Sequence, residues 1–237
     1  IHNSFCAHSD IRRVMLYLQE YGVTPSMALK IYKKYGYRTI YVLKENPYRP
    51  AEEINGIGFK TADRIAASMG IPKDSAHRIK AGMKYILNNS LTEGNVFMPR
   101  DELLKAAAEL LSVDEETVDN CLREMQIGHQ IINETVDGID AVYLMPMYYS
   151  EISAAKKLLE LSFCTEDMDV KEIETKIDEA EDRTGISLAE QQRQAVREAL
   201  REGVLVITGG PGTGKTTIIH TIIQIFSSMG KKAVLAA

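Results

Sequence analysis

VLVIT, residues 204–208, runs directly into GGPGTGKT, residues 209–216, and then into an apolar stretch that ends at Gly230. That order constrains the fold more than any other feature of the chain. A short β-branched run predicts a buried parallel strand, and TTIIHTIIQIFSSMG predicts a helix whose Ile, Phe and Met positions face a sheet. KKAVLAA then predicts the beginning of a second strand. The connecting loop fits G-x-x-x-x-G-K-[ST], with Gly209, Gly214, Lys215 and Thr216 in the defining places. Its glycines let backbone amides approach phosphate oxygens at the positive end of the helix dipole. The expected nucleotide-binding set is Gly209, Gly210, Pro211, Gly212, Thr213, Gly214, Lys215, Thr216 and Thr217. Lys215 is the expected catalytic residue, reaching the β and γ oxygens, and the Thr216 hydroxyl is the expected ligand of Mg2+.

Just upstream, ISLAEQQRQAVREAL places Leu188, Gln192, Ala195 and Val196 in an L-x-x-x-Q-x-x-A-V pattern. A plain amphipathic helix has the same spacing. Beside the glycine loop, however, the pattern resembles the element that precedes the loop in superfamily-one helicases. That resemblance implies that the Gln192 amide, both donor and acceptor, pairs with the adenine edge of ATP.

Residues 10–86 read as a series of short helices punctuated by glycine and proline. YGVTPSMALKIY, from Tyr21 to Tyr32, can be laid over NGIGFKTADRIA, from Asn55 to Ala66. Gly22 then falls on Gly56, Val23 on Ile57, Thr24 on Gly58, Ala28 on Ala62, Lys30 on Arg64 and Ile31 on Ile65. Each copy reads as helix, tight turn, helix. The turn glycines and the unpartnered amides of the second helix can take a phosphate, with Lys60 and Arg64 adding charge beside them. These residues resemble the helix-hairpin-helix family, which grips the sugar-phosphate backbone without reading sequence. The resemblance implies DNA contacts from Gly56, Ile57, Gly58, Lys60, Thr61 and Arg64, and from Gly22 in the first copy. The first copy departs from the pattern at Thr24-Pro25 and is expected to act mainly as a structural partner. A packing or protein-docking role for the pair stays open.

Residues 91–150 predict two helices and a β-hairpin. RDELLKAAAELL is amphipathic, Ser112 is expected to cap the next helix with Glu115 as its capping-box partner, and Asp137-Gly138 joins QIINETV to IDAVYLM. The set looks like a winged-helix module. EISAAKKLLELSFCTEDMDVKEIETKIDEAEDRTG follows as an acidic connector, expected to be a solvated helix or linker. Asp167, Asp169 and Glu179 to Asp182 lack the preceding apolar strand that a magnesium-binding carboxylate pair would need.

Charge separates these parts. Through Ser90, 14 Lys and Arg stand against 7 Asp and Glu, whereas residues 91–200 hold 10 against 25. The basic first third suits a polyanion, and the acidic helices of residues 91–150 favour a spacer or packing role over DNA readout. Cys6, Cys121 and Cys164 have neither disulfide-framework nor zinc spacing and read as buried free thiols of a reducing, cytoplasmic setting. No apolar run has the length of a membrane span.

The quoted motifs occur in the order found in the RecD/TraA family of long-form bacterial helicases, which this chain resembles. The expected architecture is mainly α with a small β-hairpin. A tandem helix-hairpin-helix domain (1–90) precedes a winged-helix-like module (91–150) and the acidic connector (151–184). The start of a P-loop, RecA-like α/β domain occupies 185–237. The resemblance implies an ATP-dependent 5′–3′ DNA helicase acting on single-stranded DNA or a single/double-strand junction, with no membrane partner. Ile1 in place of Met, and an end within KKAVLAA, read as a piece cut at both ends. Such a piece is expected to be catalytically incompetent and incompletely packed from Gly203 onward. Two other readings stay open: a non-catalytic DNA-binding adaptor with a retained phosphate loop, and a different P-loop ATPase of clamp-loader type, against which Gln192 argues.

Overall fold

A computed structural model of the chain describes residues 2–165 and 168–236, with side chains described from Ile11 onward. It is mainly helical and divides into two compact units, residues 1–151 and 152–237.

In the first unit the repeated segments fold alike. Helix α1 (His2–Glu20) leads through a tight turn into α2 (Pro25–Tyr35). A single 3₁₀ turn (Gly36–Arg38), α3 (Thr39–Glu45) and α4 (Arg49–Glu53) then lead to the second turn and α5 (Phe59–Ser68). Gly22 and Gly56 both take positive φ, 73° and 86°, which an L-residue resists. The aliphatic residue after each, Val23 and Ile57, is buried. Ala28 and Ala62 donate their amides back to Thr24 and Gly58, closing the first turn of each second helix. Val23, Ile57, Ala28, Ile31 and Ile65 lie in one apolar cluster with Val14, Leu18 and Leu43, so the two hairpins share a core.

Helix α6 (Ala76–Thr92) leads to strand β1 (Phe97–Pro99), α7 (Arg100–Leu111), α8 (Glu115–Ile127), β2 (Ile131–Val136) and β3 (Ile139–Leu144). The strands form an antiparallel sheet in the order β1-β3-β2, with Phe97 opposite Tyr143 and Val136 opposite Ile139. The Asp137-Gly138 connection has positive φ at both residues, as a two-residue hairpin turn requires. The third strand, β1, is an addition to the expected hairpin. Three residues ending in proline carry too little alternation to be legible as a strand. The expected helix start at Ser112 is corrected. Ser112 closes α7 in the left-handed conformation, and Asp114 caps α8, its carboxylate accepting from the Thr117 amide at 2.7 Å. An ionised cap two residues closer to the helix displaces the serine.

A larger cluster runs from Tyr48 and Phe59 through Ile79, Met83, Leu103 and Leu122 to Ile131 and Val142. It joins α4 and α5 to the helices and sheet that follow. Arg78 reinforces that junction. It donates to both Asp63 carboxylate oxygens (2.8 and 3.2 Å) and to the Lys73 and Leu111 carbonyls (both 2.8 Å). Tyr48 adds its hydroxyl to Asp63 at 2.7 Å, and burial followed by this bond raises the phenol's pKa.

The second unit contains the rest of α9 (Met145–Ser162), then α10 (Val170–Thr184), α11 (Glu190–Arg201) and α12 (Lys215–Ser228). Ile173, Ile177 and Ala180 of α10 pack with Leu188, Val196, Leu200, Ile218 and Ile225. The solvated-connector expectation therefore fails for α10, whose apolar i, i+4, i+7 stripe lies inside that acidic sequence. The two expected strands are also not formed. Residues 204–208 and 231–236 are without regular structure or ladder partners among the described residues, and Val206 and Val234 are each 80% exposed. β-branched composition supplies no hydrogen-bond partner, and a parallel strand needs neighbours. Of the cysteines, Cys121 is buried, but Cys164 is exposed, contrary to expectation, because it follows the solvent-facing end of α9. The Cys6 side chain and Asp167 lie outside the described residues. No helix among the described residues is long and apolar enough to cross a membrane.

Replacing Arg78 with alanine strands the partly buried Asp63 carboxylate and the Leu111 carbonyl. We expect a loss of about 3 kcal/mol in urea or thermal unfolding, with Arg78→Lys recovering only part of it because one ammonium cannot reproduce the forked contacts.

Candidate functional site

The second hairpin turn presents two glycines for different reasons. Gly56 is required by its φ of 86°, and a side chain there would also press on Lys30 Nζ. Gly58 has φ −94°, ψ 170°, close to the −66°, 151° of Thr24, so its backbone tolerates any residue. A Cβ at Gly58 would point into open space. The absence of a side chain there keeps the start of α5 accessible.

The expected contact residues divide by burial. Gly56, Gly58, Lys60 and Arg64 are exposed, Thr61 is half-buried, and Gly22 occupies the matching exposed turn. Ile57 is buried, so its side chain anchors the turn and only its backbone can face a ligand. Lys30 is a residue that repeat matching paired with Arg64 without assigning it to the site. Its ammonium comes from the first copy and lies over the second turn, 3.2 Å from where a Gly56 Cβ would be. Only the packing of one hairpin on the other brings it there.

Ion pairing sharpens the charge split. Lys80 is bound to Glu124, Lys84 to Glu52, and Arg100 and Arg123 to Asp119. By contrast, Arg12, Arg13, Lys30, Lys33, Arg38, Lys44, Lys60 and Arg64 have no carboxylate partner among the described residues. Most of the first unit's unpaired cations therefore lie in the hairpin region, although Lys34 and Arg49 there share Glu53.

In the second unit the glycine loop leads into α12. Gly212 and Gly214 have φ of 78° and 81°. The first amides of α12, from Lys215, have no carbonyl one turn earlier to bond and are open to an anion. Lys215 Nζ donates to the Gly209 and Gly210 carbonyls at 2.6 and 2.7 Å, which places its charge inside the curve of the loop. Thr213 Oγ1 donates to Gly210 O at 2.9 Å. Thr216 is exposed at the helix start, and Thr217 is half-buried behind it.

Gln192 is joined to this loop. Its Nε2 donates to Thr213 O at 3.1 Å, and its Oε1 accepts from the Ala189 amide at 2.9 Å. A side chain at Gly214 would collide with the Gln192 amide. The side chain expected to meet adenine thus braces the loop as well, with one N–H and one lone pair still unused. Arg193, the next residue, sits at an unspecified position of the motif, and Arg197, one turn on, lies just beyond it. Arg193 donates to Glu174, Asp178 and Glu181 (2.8, 2.6 and 2.6 Å), and Arg197 bonds Glu174 and Glu190. Glu181 also accepts from the Leu188 amide at 2.6 Å, tying α10 to the entry of α11.

The open glycine turn with its mostly unpaired cations, and the lysine-bearing loop braced by Gln192, define a class: a helix-hairpin-helix protein carrying a glycine-rich loop at the start of a helix. Residues 7–97 match the family model for the helix-hairpin-helix domain of ATP-dependent RecD2 DNA helicase, and residues 192–237 match an AAA domain, beginning at Gln192 itself. The chain is 26% identical to the ATP-dependent RecD2 DNA helicase of Deinococcus radiodurans over 236 residues, 95% of this chain and 32% of that protein. Over 47 residues it is 47% identical to the RecBCD enzyme subunit RecD of Mycolicibacterium smegmatis, covering 20% of this chain and 8% of that subunit. The RecD subunit of Mycobacterium tuberculosis H37Rv matches 44 residues, also at 47%. The chain is therefore similar to RecD-like helicases, through a RecD2 helix-hairpin-helix domain over residues 7–97 and an AAA domain over residues 192–237. It spans about a third of the length of the Deinococcus relative and under a tenth of the RecD subunits.

The Arg193 and Arg197 guanidiniums hold the Glu174 carboxyl below its ordinary value of 4.5. A lowered folded-state value gives stability that is present above pH 4.5 and lost as pH falls through the folded value. Arg193→Ala with Arg197→Ala should flatten this acid limb of a thermal-melting profile between pH 3 and 6 and lower the melting temperature at pH 7.

Proposed function

We propose that this chain forms the N-terminal part of an ATP-dependent DNA helicase that moves 5′ to 3′ on single-stranded DNA in the cytoplasm. In this reading residues 1–90 hold DNA by its backbone, without sequence preference, at a strand or a single/double-strand junction. The loop holds the nucleotide. The contact that carries the reading is Gln192 on Thr213, because it seats the adenine-side residue against the phosphate-side loop.

ATP and Mg2+ fit the donors present. The amides at the start of α12 and the Lys215 ammonium suit the β- and γ-phosphates, and the Thr216 hydroxyl suits a magnesium ion that the phosphates share. The bound metal nucleotide supplies the cleavable phosphoanhydride. Lys215 would exchange the Gly209 and Gly210 carbonyls for phosphate oxygens, and Gln192 would keep Thr213 in place while offering its remaining donor and acceptor to a base. No Asp or Glu occurs from Gly203 to Ala237, so these 237 residues lack a carboxylate pair downstream of the loop to position magnesium and water.

Binding and turnover should therefore separate. We expect the 237-residue chain to bind a fluorescent ATP analogue with Mg2+, and Lys215→Ala to weaken that binding at least about tenfold. ATP hydrolysis should stay at the buffer rate in both; turnover abolished by Lys215→Ala would refute the second expectation. For DNA, Gly58→Val should leave the melting temperature nearly unchanged, since a side chain there meets open space. It should still weaken salt-sensitive duplex binding severalfold in anisotropy titrations. Unchanged binding would assign the hairpins to packing.

A further inference from the structure

The 3₁₀ turn and α3 present an outer face that the hairpin reading does not use. Thr39, Val42 and Leu43 point into the core and are at most 5% exposed. On the other side, Tyr37 is 74% exposed and Tyr41 is 62% exposed. Arg38 and Lys44 are exposed beside them. The spacings 37 to 41, 38 to 41 and 41 to 44 put all four on one side of a continuous helical path. Neither ring stacks on another aromatic among the described residues. Neither cation has a carboxylate partner there. Arg49, beyond the face, is held by Glu53, whose hydrogen bond raises the guanidinium's pKa, with Glu45, the one acid of the segment, adding a smaller Coulombic share.

We propose that this face binds single-stranded nucleic acid, with bases stacking on Tyr37 and Tyr41 and backbone phosphates meeting Arg38 and Lys44. Two large rings turned to water contribute little to folding, whereas a tyrosine ring offers a base a flat apolar surface and keeps its hydroxyl wet. Four residues of helix separate the rings by about 6 Å along the axis, a spacing that adjacent splayed bases of an extended strand can match. The charge is complementary, since Arg38, Lys44 and most cations of this region have no carboxylate partner among the described residues. Duplex DNA hides its base faces, so the patch selects single strands, while the Gly58 turn can hold the backbone of either form. The inference shares its ligand class with the helicase reading but uses different atoms.

Both rings are exposed, so Tyr37→Ser with Tyr41→Ser should melt like the parent chain. We expect this double variant to bind a short dT oligonucleotide at least about tenfold more weakly, with blunt duplex binding changed less than twofold. An abasic oligonucleotide of equal length should bind the parent weakly and fail to distinguish it from the double variant. The chain has no tryptophan, so Tyr41→Trp supplies a single reporter, whose fluorescence oligo-dT should quench. Equal dT affinity of parent and double variant would overturn the proposal. So would equal losses on base-bearing and abasic strands, which would leave only electrostatics. Stronger perturbation of the Tyr41→Trp signal by polyglutamate than by oligo-dT would assign the face to an acidic protein instead. Loss of duplex binding in Gly58→Val, with dT binding unaffected by the tyrosine changes, would sustain the hairpin reading and reject this one.

Discussion

The first unit depends on the Arg78–Asp63 pair more than on any other polar contact. Asp63 is carried by the helix that follows the second hairpin, and Arg78 begins the helix that leads to the sheet. An unpaired carboxylate in that partly buried position would be destabilising. Paired with a forked guanidinium and the Tyr48 hydroxyl, it becomes a fixed joint. The same guanidinium satisfies the Leu111 carbonyl at the end of α7, a group that would otherwise lack a partner. One side chain thus aligns α5, α6 and α7, and the Gly56–Gly58 turn is held at the edge of a rigid body.

That rigidity matters because backbone amides make a useful phosphate site only when their directions are fixed before binding. Burial of Val23 and Ile57 in one shared cluster does the same for the two turns. Around this frame, charge is distributed unevenly. The helices near the sheet pair Lys80, Arg100 and Arg123 with Glu124 and Asp119, while most cations of the hairpin region, Lys34 and Arg49 apart, have no carboxylate partner among the described residues. A polyanion is drawn to the second set, since the first has little net field to offer.

In the second unit, function and stability share one helix. The Gln192 side of α11 braces the loop, and the next residue, Arg193, binds three carboxylates on α10. The acidic run that reads as a tether is half of a packing interface. Its charges are countered by two arginines, and its apolar stripe is covered by α11 and α12. Placement of the glycine loop therefore rests on contacts with residues that precede it in the chain.

Much of this was legible in the residues themselves. Gly56 and Gly22 announce positive φ, Asp137-Gly138 announces a hairpin, and Gly209 to Thr216 announce a glycine loop that opens a helix, because each depends on local backbone chemistry. The resemblance to RecD-like helicases followed from the order of those motifs. The errors came where a partner outside the local segment decides the outcome. VLVIT has strand composition but no ladder, α10 has linker composition but a buried stripe, and Ser112 yields its cap to a better-placed Asp114. Lys30 over the second turn, Arg78 between three helices and Gln192 on Thr213 are matters of tertiary structure alone. Sequence determines which conformations and charges a segment can offer; packing over 15 to 33 residues of separation decides which of them meet.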